Sequence, residues 1–312
     1  MPAALPTECR YLDQTNRTPL IPVRLGGNQP LIWCKLEFLN PSGSTKDRIA
    51  GYILEKAWRE GKIGPNTTVV EASSGSTSIA LALACAQLGV KFLAIMPEGV
   101  SDERSMMIRS FGGCVVFSPR EKGIRGAIEA AENHARESNV FLPRQFENPD
   151  NAAAHRFRTA PEILGQLPGG CVDAVVSGVG TGGTLVGLFQ GLSDGGCKVT
   201  PFAARPIAGG TIQDLECCSF SSRIPGVADG ISKIYRPAEL PGLVELEVND
   251  LEALDTTRRL IARGFPVGPS SGLNYLAAIE ACRRLPAGSN VVTVFPDRME
   301  RYFTTELFRS VR

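Results

Sequence analysis

Thr68-Val69-Val70-Glu71-Ala72-Ser73-Ser74-Gly75-Ser76-Thr77-Ser78-Ile79 contains, in one short run, the alternation on which the fold is built. Its first five residues are rich in β-branched types and predict a strand. A Ser/Gly loop follows. Ile79–Leu88 then reads as a buried helix, with Gly89 at its stop position. The order repeats downstream: strand Lys91–Met96, helix Ser101–Phe111 stopped by Gly112-Gly113, strand Cys114–Phe117, helix Ala127–Ala135. It returns as strand Val172–Val176, glycine loop Gly178–Gly183 and helix Thr184–Leu192, with a last strand at Val291–Phe295. Such alternation implies an α/β fold of mostly parallel, twisted sheets flanked by helices. The polar break Asn148-Pro149-Asp150-Asn151 marks a domain boundary. Two domains are expected, a smaller one over 36–147 and a larger one from 1–35 together with 148–312. A small-molecule site is expected in the cleft between them.

The chain has 312 residues, of which 43% are hydrophobic and 21% charged, enough apolar material for a core of normal size. The net charge of +1 gives no broad field to attract nucleic acid or an anionic membrane, so the expected partner is small. No apolar run reaches the ~20 residues of a membrane helix. The opening residues lack the basic-then-apolar order of a secretory signal. The nine cysteines include no C-x-x-C pair, and Cys34, Cys85 and Cys171 sit in apolar stretches. They read as reduced packing thiols of a cytoplasmic protein, and the adjacent Cys217 and Cys218 as an unfavourable disulfide. Two histidines, His134 and His155, leave little for a zinc site or a Ser-His-Asp triad, and no metal is expected.

Four loops offer chemistry. Asn40–Arg48 is a turn running into a helix that begins near Lys46, with Ser44 or Thr45 to cap it. A helix start disfavours a cation, and a desolvated lysine there can form a Schiff base with an aldehyde. The plain alternative is an exposed first-turn lysine. Ala72–Thr77 collects hydroxyls and backbone N–H groups at a helix start, a cradle for a carboxylate or an ordinary cap. Gly178-Val179-Gly180-Thr181-Gly182-Gly183-Thr184 lets backbone amides approach a phosphate monoester. It does not complete the dinucleotide fingerprint and has no P-loop Lys-Ser/Thr, so a tight structural turn is its alternative. Val267–Gly272 brings Ser270 or Ser271 to another helix start, to face a ring nitrogen or merely to cap.

Together these segments resemble the cysteine synthase/cystathionine β-synthase family of pyridoxal 5′-phosphate (PLP) enzymes. The resemblance runs from Thr18-Pro19-Leu20 to Phe295-Pro296-Asp297 with Glu300-Arg301-Tyr302. It includes Pro97-Glu98 with Ser101, Glu103 and Arg104, then Gln145-Phe146, Asn148-Pro149 and Asn151 through His155. It implies the tryptophan synthase β-like fold, PLP fold type II, and a homodimer. By the same resemblance Lys46 is the Schiff-base lysine and the acid/base at Cα. Ser73, Ser74, Gly75, Ser76 and Thr77 hold the substrate carboxylate with Gln145. Gly180, Thr181, Gly182, Gly183 and Thr184 hold the cofactor phosphate, Ser76 meets the ring hydroxyl, and Ser270 faces the pyridine nitrogen. His155 has a structural part. The chain departs from the pattern at Ser76, where the family has Asn, and at Ser78, where it has Gly. The loop Pro225–Gly230 is shifted too, and its Asp229 adds a charge near the cleft.

The activity implied is β-replacement on an O-activated serine through an aminoacrylate, most simply with sulfide to give L-cysteine. Its partners are an amino-acid substrate and a small nucleophile. Alternatives are O-phosphoserine as donor, with Arg205 or Arg223 meeting its phosphate, and homocysteine or an amine as nucleophile, the amine giving a 2,3-diaminopropionate. Net elimination, as in a cysteine desulfhydrase or serine dehydratase, and a silent binding relative complete the set.

Overall fold

A computed structural model describes residues 5–6, 17–208, 221, 223–227 and 230–309. In chain order the strands are β1 (Leu20–Val23), β2 (Ile32–Lys35), β3 (Thr68–Ala72), β4 (Lys91–Pro97) and β5 (Cys114–Ser118). Then come β6 (Val140–Phe141), β7 (Ala174–Gly178), β8 (Thr200–Ile207), β9 (Val244–Asn249) and β10 (Val291–Val294). The α-helices are α1 (Lys46–Arg59), α2 (Ser76–Leu88), α3 (Asp102–Ser110), α4 (Gly123–His134), α5 (Asp150–Ala154), α6 (Ala160–Gln166), α7 (Gly183–Asp194), α8 (Asp250–Ala262), α9 (Pro269–Arg284) and α10 (Glu306–Arg309).

The strands form two sheets. One has the order β5-β4-β3-β6 and is parallel throughout. The other has the order β1-β2-β10-β7-β8-β9 and is parallel apart from the β1–β2 pair. The central strands are mostly apolar because both of their faces are covered: all four residues of β10 are buried, as are Ala174 to Val176 of β7. Helix α2 is apolar almost all round and lies fully in the core of the smaller sheet, as such a helix must. It ends where the sequence indicates, at Gly89 with φ 69°. It starts three residues before Ile79, since a first helical turn accepts the polar Ser76-Thr77-Ser78. Strand β7 begins at Ala174, later than expected; the chain bends at Asp173, whose side chain accepts from Asn290 N–H at 2.7 Å.

A buried ionic cluster ties α1 to the larger sheet. Arg48 donates to Glu37 at 2.7 and 2.9 Å and to Glu162 at 2.9 Å, and Lys35 Nζ donates to Glu162 at 2.7 Å. Burial alone would raise the Glu37 carboxyl, but the Arg48 charge beside it holds it at about 2. Breaking such a pair by removing one partner costs about 3–5 kcal/mol.

Cys34 and Cys85 are buried as expected, but Cys171 is exposed: it lies in the loop ahead of β7, outside the sheet. Cys217, Cys218 and Asp229 lie outside the described residues. Among those residues no helix is long and apolar enough to cross a membrane, and no group of metal-ligating side chains forms.

Candidate active site

The carboxyl ends of β3, β7 and β10 face one cleft between the two sheets, the usual place for a ligand in open α/β folds. Lys46 enters it at the first residue of α1. The loop before it is locked from both sides. Asp47 accepts from Ser42 N–H at 2.9 Å and Ser42 Oγ–H at 2.6 Å, and Thr45 N–H donates to Pro296 O at 2.7 Å. Gly43 holds φ +83° against Arg298, where a side chain has no room. Thr45 occupies the cap position without a capping bond, and Ser44 Oγ accepts from Lys46 N–H at 3.3 Å. Burial lowers the Lys46 amine below its ordinary range, and the nearby Asp297 carboxylate opposes that shift.

The serine loop is held by side chains. Ser73 Oγ accepts from Gly75 N–H at 2.9 Å, and Arg104 donates to Ser74 O at 2.8 Å while stacking over the Tyr302 ring at 5.4 Å. Gly75 is pressed against Arg104 at φ +148°. Thr77 Oγ1 donates to Gln145 Oε1 at 2.6 Å, and Gln145 Nε2 donates to Ala72 O at 2.6 Å. Beneath them Glu71 accepts from Gln145 N–H at 3.1 Å, and burial pushes its carboxyl up to about 8 despite the amide donors. The cap residue of α2 is Gly75, which brings no side chain, and Ser73 Oγ accepts from Ser78 N–H at 3.4 Å; Ser76 and Thr77 of the helix start line the cleft. Ser76 Oγ donates to Asp297 at 3.3 Å and accepts from Arg301 at 3.1 Å.

The glycine loop is packed closely and also held by side chains: Gly178 N–H donates to Asn274 Oδ1 at 2.7 Å and Ser232 Oγ–H to Thr181 O at 2.5 Å. A Cβ on Gly180 would strike Gly226 O, one on Gly182 (φ +79°) would strike Tyr235, and one on Gly183 would strike Asn151. Helix α7 also has a glycine, Gly182, at its cap, and Thr181 Oγ1 accepts from Gly183 N–H at 3.4 Å. Thr184 Oγ1 meets His155 Nε2 at 3.2 Å, and burial lowers that imidazole to about 3, so it is neutral. Asn151 joins the two loops, donating to Gln145 O at 2.8 Å and Thr181 Oγ1 at 3.0 Å.

Of the residues singled out in the sequence, Lys46, Ser73, Ser74, Ser76, Thr77 and Gln145 line the cleft, as do Gly180, Thr181, Gly182, Thr184 and Ser270. Gly75 and Gly183 shape the loops from behind. Ser271 is buried and outside the cleft, which leaves Ser270 as the serine that faces it. Arg205 pairs with Glu247, and Arg223 with Glu306 and Asp250; neither reaches the cleft. Asp297 and Tyr302 do reach it, although the sequence assigned them no part. Tyr302 O–H donates to Asp297 at 2.6 Å. An acid three residues after the buried strand Val291–Val294 was the available signal.

Residues 11–297 match the model of the family described as pyridoxal-phosphate dependent enzyme. This chain belongs to that family. A cysteine synthase of Staphylococcus aureus (strain Mu50) is 37% identical over 301 residues, 93% of this chain and 94% of its own. The O-acetylserine dependent cystathionine β-synthase of Helicobacter pylori superposes with a TM-score of 0.85 at 32% identity, over 96% of this chain and 98% of its own. O-ureido-L-serine synthase superposes with a TM-score of 0.85 at 34% identity, over 97% and 95%. The sheets of this pyridoxal-phosphate dependent enzyme are thus those of PLP fold type II. Its cleft fits the cofactor: an amine within it, a glycine-capped helix start behind glycines that admit no side chain, and a neutral serine at a third helix start.

Proposed function

We propose that this enzyme replaces the β-substituent of an O-activated serine such as O-acetylserine, most simply with sulfide, to give L-cysteine. The observation that carries the reading is the meeting of Lys46, the α2 start, the α7 start and Ser270 in one cleft. PLP, when bound, supplies the sink that stabilises negative charge at the substrate Cα. The residues of the chain do the remainder. Gly180, Thr181, Gly182, Gly183 and Thr184 hold the phosphate. Ser270 meets the ring nitrogen as a neutral group, which restrains the sink and suits β-chemistry better than transamination. The N–H groups opening α2, with Ser73, Ser74 and Thr77, hold the α-carboxylate, and Gln145 braces them through Thr77. Lys46 takes the Cα proton at Nζ and later returns it, and burial, by lowering its pKa, favours the neutral amine that accepts a proton. The Cβ–O bond breaks and a Cβ–S bond forms.

The visible spectrum of the purified holoenzyme tests this reading. O-acetylserine should shift the cofactor band, sulfide should restore it, and cysteine should accumulate. A band unmoved by O-acetylserine overturns the donor, and pyruvate release without a second substrate overturns replacement in favour of elimination.

A second reading keeps the donor and changes the nucleophile. Ser76, shorter than the family Asn and drawn to Asp297 and Arg301, supports it by leaving room. The relatives named for cystathionine and O-ureidoserine synthesis support it too. Thiols and amines that restore the band faster than sulfide would establish it. A cytoplasmic homodimer completes the proposal, and light scattering of the purified protein checks its mass.

A further inference from the structure

Cys171 and Cys197 lie outside the cleft. Each precedes a strand of the larger sheet, β7 and β8, at the end opposite the catalytic loops. These strands run parallel with Ala174 opposite Thr200. The pairing continues backward, since Thr200 N–H donates to Asp173 O at 2.9 Å. Cys171 and Cys197 each lie three residues ahead of these paired strand starts, in the segments that lead into β7 and β8. Neighbouring strands lie about 4.8 Å apart, inside the roughly 4.4–6.8 Å Cα separation that a disulfide spans. The sulfur contacts agree. Val172 N–H donates to Cys197 Sγ at 3.4 Å, and Cys197 Sγ–H donates to Gly170 O at 3.8 Å, so this sulfur touches the residues on both sides of Cys171. The two thiols also sense each other: Cys197 first, then burial and Asp173, raises the Cys171 thiol above its ordinary range. The thiols of Cys34, Cys85 and Cys282 are raised by burial alone. Cys171 is exposed and Cys197 is 8% exposed, which gives one sulfur that meets solvent and one held behind it.

We propose that Cys171 and Cys197 form a reversible disulfide under oxidants of the peroxide class, a modification site separate from the active site. The Cys171 thiolate attacks a peroxide oxygen, the O–O bond breaks, and one water leaves a sulfenic acid on Cys171. Cys197 attacks that sulfur, the S–S bond forms, the S–OH bond breaks and a second water leaves. Two thiols are oxidised by two electrons and the peroxide is reduced to water. Thiol exchange with a small reductant such as glutathione reverses the bond, as for transient disulfides of reducing compartments. The bond staples β7 to β8 and closes the glycine loop and α7 into one covalent ring.

The test uses the holoenzyme, treated with hydrogen peroxide, blocked with N-ethylmaleimide and mapped by mass spectrometry without reduction. A peptide linking Cys171 to Cys197, reversed by dithiothreitol, is expected. The melting temperature should rise by roughly 5 °C while the cofactor band is kept. In Cys197→Ser the Cys171 sulfenic acid should persist and be trapped by dimedone, and Cys171→Ser should form no link. A Cys171 that proceeds to sulfinic acid in the wild type while Cys197 stays a thiol would overturn the proposal. So would a link from either residue to a different cysteine. The wild-type map decides by itself if a variant fails to fold.

Discussion

The serine loop at α2 and the glycine loop at α7 solve one problem in two ways. Both follow a parallel strand, both open a helix whose cap residue is a glycine, and both line the cleft. The glycine loop is shaped by what its residues lack, with Gly180, Gly182 and Gly183 packed where no Cβ fits. The serine loop is shaped by what surrounds it: Arg104, Gln145, Asp297 and Arg301 all hold it. A cradle packed so closely that its glycines admit no side chain suits a ligand that stays. One fixed by neighbouring side chains changes when any neighbour changes, and it suits a ligand that comes and goes.

Four substitutions probe that contrast. Lys46→Ala leaves both cradles intact and removes the proton carrier between them. Turnover should fall by at least ~10³-fold while phosphate-dependent cofactor retention persists, measured by steady-state rate and bound phosphate. Gly180→Ala drives a methyl group into Gly226 O, and cofactor affinity should weaken by roughly 10²-fold in equilibrium dialysis, about 2.7 kcal/mol.

Glu71→Gln acts only beneath the serine loop. The folded-state pKa of Glu71, about 8, lies above its ordinary 4.5, so the folded protein binds the extra proton between those values. The stability this contributes is complete below about pH 4.5 and is lost as pH rises through about 8. Denaturant titrations from pH 6 to 8 should show the wild type losing roughly 2 kcal/mol relative to Glu71→Gln, a difference in which the shared titration of His155 cancels. Equal slopes would show that the carboxyl is not held protonated. The smallest effect is expected from Thr77→Val, which removes one hydrogen bond to Gln145 and keeps the shape. KM for the amino acid should rise about 10-fold at unchanged cofactor content; a matching loss of cofactor would mean the two loops do not act separately.

The two cradles differ in how far the chain alone discloses them. The glycine loop is local: its spacing, the strand before it and the helix after it are contiguous in sequence, and Gly178–Thr184 reads directly. Lys46 is legible for the same reason. The serine loop is legible only in its own residues. Asp297 and Tyr302 reach it because β10 lies next to β2 in the sheet, and because Thr45 N–H donates to Pro296 O. Strand order of that kind has no signature in hydrophobic pattern. The same limit applies to Cys171, whose apolar neighbours suggest burial and whose place ahead of β7 exposes it.

The place of β10 also bears on synthesis. It is the last of the ten described strands, yet it lies in the middle of the larger sheet, between β2 and β7. A nascent chain emerging from the ribosome can pair all of β3 to β6 early. It must keep β2 and β7 apart until residue 294 has appeared, and the acid at 297 follows directly. We therefore expect ribosome-bound chains arrested before β10 to resist protease over β3–β6 and to bind no cofactor, so that catalytic competence arrives in one step near the end of translation.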